Sequence, residues 1–308
     1  MKKLSNKLAI AMFSTLLLGG VITSCKKSSV AAPDPIGGFN SSNDIQAAAL
    51  KAHWTFNGSL NESISNTAPT TSAGTSFTTG VSGQALTLAN GYALYPNIAA
   101  LNGPNFGSVT VSCWVKIDNN GTQASNVFSL TQGTTKQTDW NTGFVNMVIE
   151  TGHPIATDDT LVLHPSFSTY PNGPTNRLGG DNINDYGVRG TDFLTVHGTN
   201  KWVHYVMRYD ATGSNIDVFA NGVLVSNNNF RHRTTGTPAV GIGGIITDGS
   251  STQALIGAFA NAATGFSQSA VQPFEGLFNG SIDELRFYTA ALTDAEISAL
   301  YQLELVGR

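Results

Sequence analysis

The stretch from Phe274 to Tyr301, FEGLFNGSIDELRFYTAALTDAEISALY, narrows the fold most, because strand, turn and helix signals follow one another in it without a break. Between Ser281 and Tyr288 the bulk is carried by Ile282, Leu285, Phe287 and Tyr288, with charges between them. That is the pattern of a strand with one buried face, whose period slips at Asp283-Glu284. Asn279-Gly280 ahead of it is a turn pair, since both residues tolerate positive φ. Thr293 and Glu296 stand three apart, so hydroxyl and carboxylate can each satisfy an orphan backbone N–H as a capping box. Ile297, Leu300 and Tyr301 then supply one apolar helix face.

Similar alternation recurs upstream. Ala52, Trp54 and Phe56 alternate with Lys51, His53 and Thr55, and Asn57-Gly58 closes that strand as a turn. In Val109 to Ile117, VTVSCWVKI, Val109, Val111, Cys113 and Val115 share a face and Trp114 lies on the other. Bulk on both faces places this strand centrally in a sandwich. Lys201 to Tyr209 and Asn215 to Val225 continue the pattern, the latter turning at Asn221-Gly222. Trp54, Trp114 and Trp202 fall in strand patterns and read as core. Strand after strand with Gly/Asn turns and one short C-terminal helix argues for an all-β, two-sheet antiparallel sandwich. Two stretches interrupt it with loop-like composition: Val145 to Thr199, containing TYPNGPTNRLGGDNINDYG, and Ser226 to Thr252, containing FRHRTTG.

Several segments carry a family resemblance. G-x-I-D-E-(L/V)-R-x-Y followed by A-L-(T/S)-x-x-E-I-x-x-L-Y, the opening HWTFNGSLNES, the hairpin GVSGQALTL and the pair KWVHYVMRY and NIDVFANGVLV resemble bacterial LamG-like domains. These belong to the concanavalin A-like lectin/glucanase group. The resemblance implies a concanavalin A-like jelly roll over residues 51–308, in which the last strand returns to pair near the first. It also implies a structural Ca²⁺ held by Asp283, Asn57 and the Gly58 carbonyl. Asn57 stands where Asp is more common, which removes one negative charge from a site that needs hard oxygen ligands. The other reading of Asp283 is that it bonds backbone N–H groups at the strand edge.

The chain begins with a basic segment (Lys2, Lys3, Lys7) and an apolar run, Leu8 to Val21, that is short for a membrane span. Ile22-Thr23-Ser24-Cys25 then resembles the lipobox of bacterial lipoproteins. This gives an expected signal peptide over 1–24, lipidation at Cys25 and a flexible tether over 25–50, rich in Ser, Pro, Gly, Asn and Ala. Lys26 and Lys27 after the cysteine point to the outer membrane, with surface display. With Cys25 lipidated, Cys113 has no disulfide partner and reads as an inert buried thiol. With 16 Lys and Arg against 20 Asp and Glu, and no basic cluster beyond those two lysines, a nucleic-acid partner is excluded.

Catalytic patterns are weak. Glucanases on such a scaffold use two carboxylates close along one strand, and no E-x-D-x-E spacing is present. Asp158-Asp159 and Asp283-Glu284 are adjacent, which sends side chains to opposite faces of an extended chain. His164, His197, His204 and His232 lack zinc spacing. Sugar binding needs flat aromatic faces and planar polar groups. Trp140 is the candidate platform, with Tyr170, Asn176, Arg177, Asp181, Asp185 and Tyr186 in the first loop-like stretch and Arg231 and His232 in the second. The sequence thus points to a non-catalytic envelope lipoprotein that binds a polysaccharide or glycoconjugate. A protein–protein adhesion module and a divergent glycoside hydrolase using Glu150 are the alternatives. Cys25→Ser is expected to move the protein from the detergent phase to the aqueous phase in partition experiments, and mass spectrometry of the native N-terminus checks the lipid directly.

Overall fold

The computed structural model describes residues 33–186, 191–268 and 270–308. The expected signal peptide, Cys25 and the first part of the expected tether lie outside the described residues. The strands that carry the fold are Leu50–Trp54 (β1), Thr71–Thr79 (β2), Gln84–Leu94 (β3), Val109–Ile117 (β4), Ala124–Thr131 (β5) and Val145–Ile149 (β6). They continue with Leu163–Thr169 (β7), Leu178–Asp181 (β8), Val203–Asp210 (β9), Asn215–Ala220 (β10), Gln253–Ile256 (β11) and Phe278–Tyr288 (β12), followed by the helix Asp294–Leu305 (α1).

One curled antiparallel sheet supplies both layers. The back layer runs β2-β3-β12-β4-β9-β10 and the front layer β11-β5-β6-β7-β8, joined where β11 pairs with the end of β3. β12 is the spine of the back layer. Along one edge it pairs first with β3 and then with β1, and along the other with β4. Trp54 is the register partner of Leu285, so the chain's end closes on its beginning as expected.

The core fills the space between the layers. Cys113, Val115, Tyr205 and Met207 from the back join Phe128, Met147, Leu163 and Phe167 from the front in one buried cluster. Rings bridge the two layers, with Phe167 and Tyr209 centroids 4.0 Å apart and Trp54 and Phe128 5.9 Å apart. Burial pushes the Cys113 thiol well above its usual range, which removes the reactive thiolate.

The slip in period at Asp283-Glu284 is a β-bulge. Pairing with β4 is irregular between Asp283 and Arg286, and Glu284 has φ 46°. The extra residue keeps Ile282, Leu285 and Phe287 in the core while Glu284 and Arg286 join a charged network outside it. Arg286 is only 1% exposed. Its guanidinium donates to Glu304 Oε1 and Glu284 Oε2, both at 2.7 Å, and to Asn43 Oδ1 at 2.7 Å and Ser42 Oγ at 3.1 Å. Trp114 Nε1 donates to the other Glu304 oxygen at 2.8 Å. Helix α1 is thereby fastened to the back layer, where Ile297, Leu300 and Leu303 pack with Val206, Phe219 and Tyr288. Its capping box forms as the sequence suggests, with Thr293 and Glu296 exchanging backbone-to-side-chain bonds.

Three expectations change. Residues 35–50 are not the flexible tether expected over 25–50, because the compact unit begins at Pro35. Ile45 is fully buried, Ile36 and Phe39 pack on the helix cluster, and Ser42 and Asn43 receive Arg286. A few apolar residues among Gly, Pro and Ser were enough to dock the segment, which average composition hides. Residues 145–199 are not simply a loop, since three of the five front-layer strands, β6, β7 and β8, come from them. Trp202 is not core: Trp54 and Trp114 are 0% and 2% exposed, whereas Trp202 is half-buried at the start of β9.

Glu304→Ala strips Arg286 of a buried partner, and a loss of about 3–5 kcal/mol is expected by denaturant unfolding. Thr293→Ala removes only the helix cap and is expected to cost about 1 kcal/mol in the same measurement.

Candidate functional site

In the front layer β6 and β7 alternate, whereas a bulge in β5 puts both Val127 and Phe128 in the core. Met147, Ile149, Leu163 and Phe167 face the core, so Asn146, Val148, His164, Ser166 and Ser168 face outward. Register places Ser129, Asn146, Ser166 and Asp181 side by side across β5, β6, β7 and β8. Hydrogen bonds link part of this row: Ser129 donates to Asn146 Oδ1 at 2.8 Å, and the Asn146 amide donates to Ser166 Oγ at 3.3 Å. At its inner end the row is roofed. The Asn126 amide donates to the Ala258 carbonyl at 2.8 Å, and Trp140 packs edge-on against Phe259 and Phe274.

Where the roof ends the row opens into a cleft of about 530 Å³, walled by Trp140, Asn141, His164, Ser166, Arg177 and Asp181. His164 sits at its centre. Its Nδ1 lies 2.5 Å from Glu150 Oε1 and its Nε2 3.0 Å from Asp181 Oδ2. Burial alone lowers its affinity for a proton, but the hydrogen bonds and charges of Asp181 and Glu150 outweigh burial and raise the ring above its ordinary 6.5. Arg233 donates to the second Asp181 oxygen at 3.0 Å. It reaches there across Gly180, where a Cβ would sit 2.6 Å from its Nε. Arg177 is exposed on the rim and donates from Nε to Ser168 Oγ at 2.8 Å.

Of the residues expected in a sugar site, the fold therefore gathers Trp140, Arg177 and Asp181. The others are placed differently. Tyr170 is 5% exposed, donates its hydroxyl to the Thr142 carbonyl at 2.7 Å and meets Phe144 edge-on, so it pins a loop. Asn176 is exposed in the turn that begins at Gly173. Asp185 accepts from Thr195 Oγ1 and lines a separate shallow pocket with His153 and Pro154, while Tyr186 stacks on His153 with centroids 4.4 Å apart. Arg231 donates to Asp217 Oδ1, a carboxylate shared with Arg208, and is committed there. Loop composition could select these residues but not assign them to one place.

His164, Arg233 and Glu150 are the site residues that the sequence reading did not bring together. A signal was present in LHPSFS, where Leu163 and Phe167 alternate with His164, Ser166 and Ser168. It was hidden by the surrounding Pro, Gly and Asn.

The calcium expectation meets a different arrangement. Asp283 Oδ2 accepts from the backbone N–H of Val81 at 2.8 Å and of Ser82 at 3.0 Å, and Oδ1 accepts from Glu284 at 2.9 Å. Asn57 Oδ1 accepts from the Gln84 N–H at 2.6 Å. Burial first, and then the Glu284 charge, push the Asp283 carboxyl up to about 7. Among the described residues no three His, Cys, Asp or Glu side chains gather as a metal-binding group. Oxygens committed to backbone donors, with one carboxylate between them, do not fit a cage of about six to eight hard ligands. Asp283 and Asn57 instead tie the Gly80–Gly83 turn to the strands beside it.

A family model described as the concanavalin A-like lectin/glucanases superfamily matches residues 87–298. No curated protein matches the chain. Among similar solved structures is domain 4 of AbnA, a GH43 extracellular arabinanase from Geobacillus stearothermophilus, in complex with arabinotriose. It is 22% identical with a TM-score of 0.47, over 82% of this chain and 98% of that one. Another is the ligand binding domain of botulinum neurotoxin serotype D in complex with N-acetylneuraminic acid, 13% identical with a TM-score of 0.48, over 85% and 52%. The binding domain of botulinum neurotoxin DC in complex with SialylT is 12% identical with a TM-score of 0.49, over 86% and 52%. The chain spans about half the length of these neurotoxin domains.

A raised His164 means that its contribution to stability is complete below the ordinary 6.5 and is lost as pH rises through the folded value. The stability difference between wild type and His164→Asn is accordingly expected to shrink from pH 6.5 upward. Urea unfolding at several pH values, with NMR titration of the imidazole, checks it.

Proposed function

Because the chain belongs to the concanavalin A-like lectin/glucanase superfamily, we propose that it binds an extracellular glycan, without covalent chemistry, in the cleft around His164. The observation that carries this reading is the convergence of Trp140, Arg177 and Asp181 on one opening. An indole offers an apolar face to the C–H side of a pyranose ring, and the guanidinium, carboxylate and buried hydroxyls offer fixed partners to its hydroxyls. A row of interlocked polar side chains beneath them holds Ser166 and His164 in place before any ligand arrives, which lowers the ordering cost of binding.

A binding role fits the acids better than hydrolysis. Glycosidases need two carboxylates free to flank a scissile bond. Here Glu150 and Asp181 both spend an oxygen on the same imidazole, and Asp181 also takes Arg233. The lipid anchor at Cys25 and the outer-membrane location complete the proposal: a receptor held at the envelope that captures glycan outside the cell.

The test is calorimetry against glycans selected on an array. Trp140→Ala and Asp181→Asn are each expected to weaken binding by about tenfold, the equivalent of about 1.4 kcal/mol. Unchanged affinity in both variants, with the fold intact by circular dichroism, removes the cleft from consideration. Release of reducing sugar that disappears in Glu150→Gln replaces the binding role with a catalytic one.

A further inference from the structure

A second opening lies over the outer face of the back layer, across β3, β12 and β4. Thr87, Ser281 and Lys116 stand side by side there by register, and the Thr87 and Ser281 hydroxyls are 3.0 Å apart. Together with Trp202 and Phe77 they line a groove of about 590 Å³. Ile117, Asp118 and Asn279 are shared with an adjoining hollow of about 310 Å³ that Asn90, Asn119 and Gln123 line. The two adjoin at those shared residues, and we refer to the pair as the channel.

Polar groups in this channel are unspent. Elsewhere in the fold, side chains such as Arg286, Asp217 and Asp283 are fully engaged. The side chains of Lys116, Asp118, Asn279 and Trp202 make no hydrogen bond, ion pair or ring contact among the described residues. Asn119 adds an independent sign. It is 4% exposed and its amide donates to the Asp158 and Thr160 carbonyls, yet its Oδ1 is buried without a donor. A buried acceptor lacking a donor is costly. The Asn119 side chain lines the hollow, so a small opening of its wall would let a ligand hydroxyl reach that oxygen.

We infer that this channel is a second carbohydrate site, separate from the cleft around His164, and that it takes an uncharged glycan chain. Its one cation, Lys116, is matched by one anion, Asp118, so no net charge selects an acidic or basic ligand. The remaining polar contacts are amides and hydroxyls, which pair with sugar hydroxyls in either direction. Trp202 is the aromatic platform, half-buried and without a stacking partner of its own. Two joined hollows suit several consecutive residues of a chain. Sites on opposite faces of one domain let a single molecule bridge two chains, or engage one chain twice with increased avidity.

Tryptophan fluorescence separates the sites. Of the 4 tryptophans, Trp54 and Trp114 are buried, which leaves Trp140 and Trp202 to report ligand. In the Trp140→Phe variant, titration with maltohexaose, xylohexaose, cellohexaose and mannohexaose is expected to shift the emission for at least one of them. Asn279→Ala, at an exposed position, is expected to weaken that response at least fivefold with the melting temperature retained. The inference is overturned if none of the four shifts the emission of Trp140→Phe, if only hexagalacturonate or a mixed peptide digest does, or if Asn279→Ala leaves the response unchanged. Because the cleft is read by Trp140→Ala and Asp181→Asn with Trp202 intact, failure of one site is distinguishable from failure of the other.

Discussion

Phe278–Tyr288 is hydrogen-bonded along both edges, to the third and first strands on one side and to Val109–Ile117 on the other. Its β-bulge sends Leu285 into the core beside Trp54 and turns Arg286 outward into a buried position. A guanidinium there must be paired, because an isolated charge out of water costs several kcal/mol. Glu304 from the helix, Glu284 from the strand and Ser42 and Asn43 from the incoming segment together meet that need. Helix, last strand and N-terminal segment are therefore held by one cation, and loss of the helix or the N-terminal segment removes buried partners from it.

The front layer obeys a different constraint. Its inner face is apolar, so period-2 alternation along β6 and β7 turns every second side chain outward, and most of these are polar. Where the roof around Trp140, Phe259 and Phe274 covers it, the polar side chains satisfy one another. Where the roof ends, the same row is left open, and His164, Ser166 and Asp181 line the opening. The cleft is in this sense the uncovered end of a structural network. Its groups are rigid because their neighbours under the roof are bonded.

Much of the scaffold was legible. The capping box at Thr293, the buried Cys113 face, the hairpin at Asn221-Gly222 and the closure of the last strand on the first all rest on local patterns of a few residues. Even the imperfect period at Asp283-Glu284 was visible, though only the structure gives it a bulge and a role. Long-range matters were less legible. Trp140, Arg177 and Asp181 share an opening, whereas Arg231 and Tyr170, drawn from the same loop-like stretches, spend their polar atoms elsewhere. Trp202 reads as core from its place in the Lys201 to Tyr209 strand pattern, yet it stands half-buried at a groove, because the strand begins only at Val203.

The architecture follows from the residues alone: alternating runs and Asn-Gly turns permit few structures other than an antiparallel sandwich, since each strand's apolar face must find another. Which polar groups are already engaged, by contrast, is settled by the folded sheet. Asp283 and Asn57 carry the right atoms for a metal but are taken by backbone N–H groups from a turn. His164 carries no spacing signal, yet two carboxylates reach it from a neighbouring strand and from the end of another. Whether a side chain serves the fold or a ligand depends on donors and acceptors that sequence-distant strands bring beside it, and strand order and register exist only once the sheet has closed.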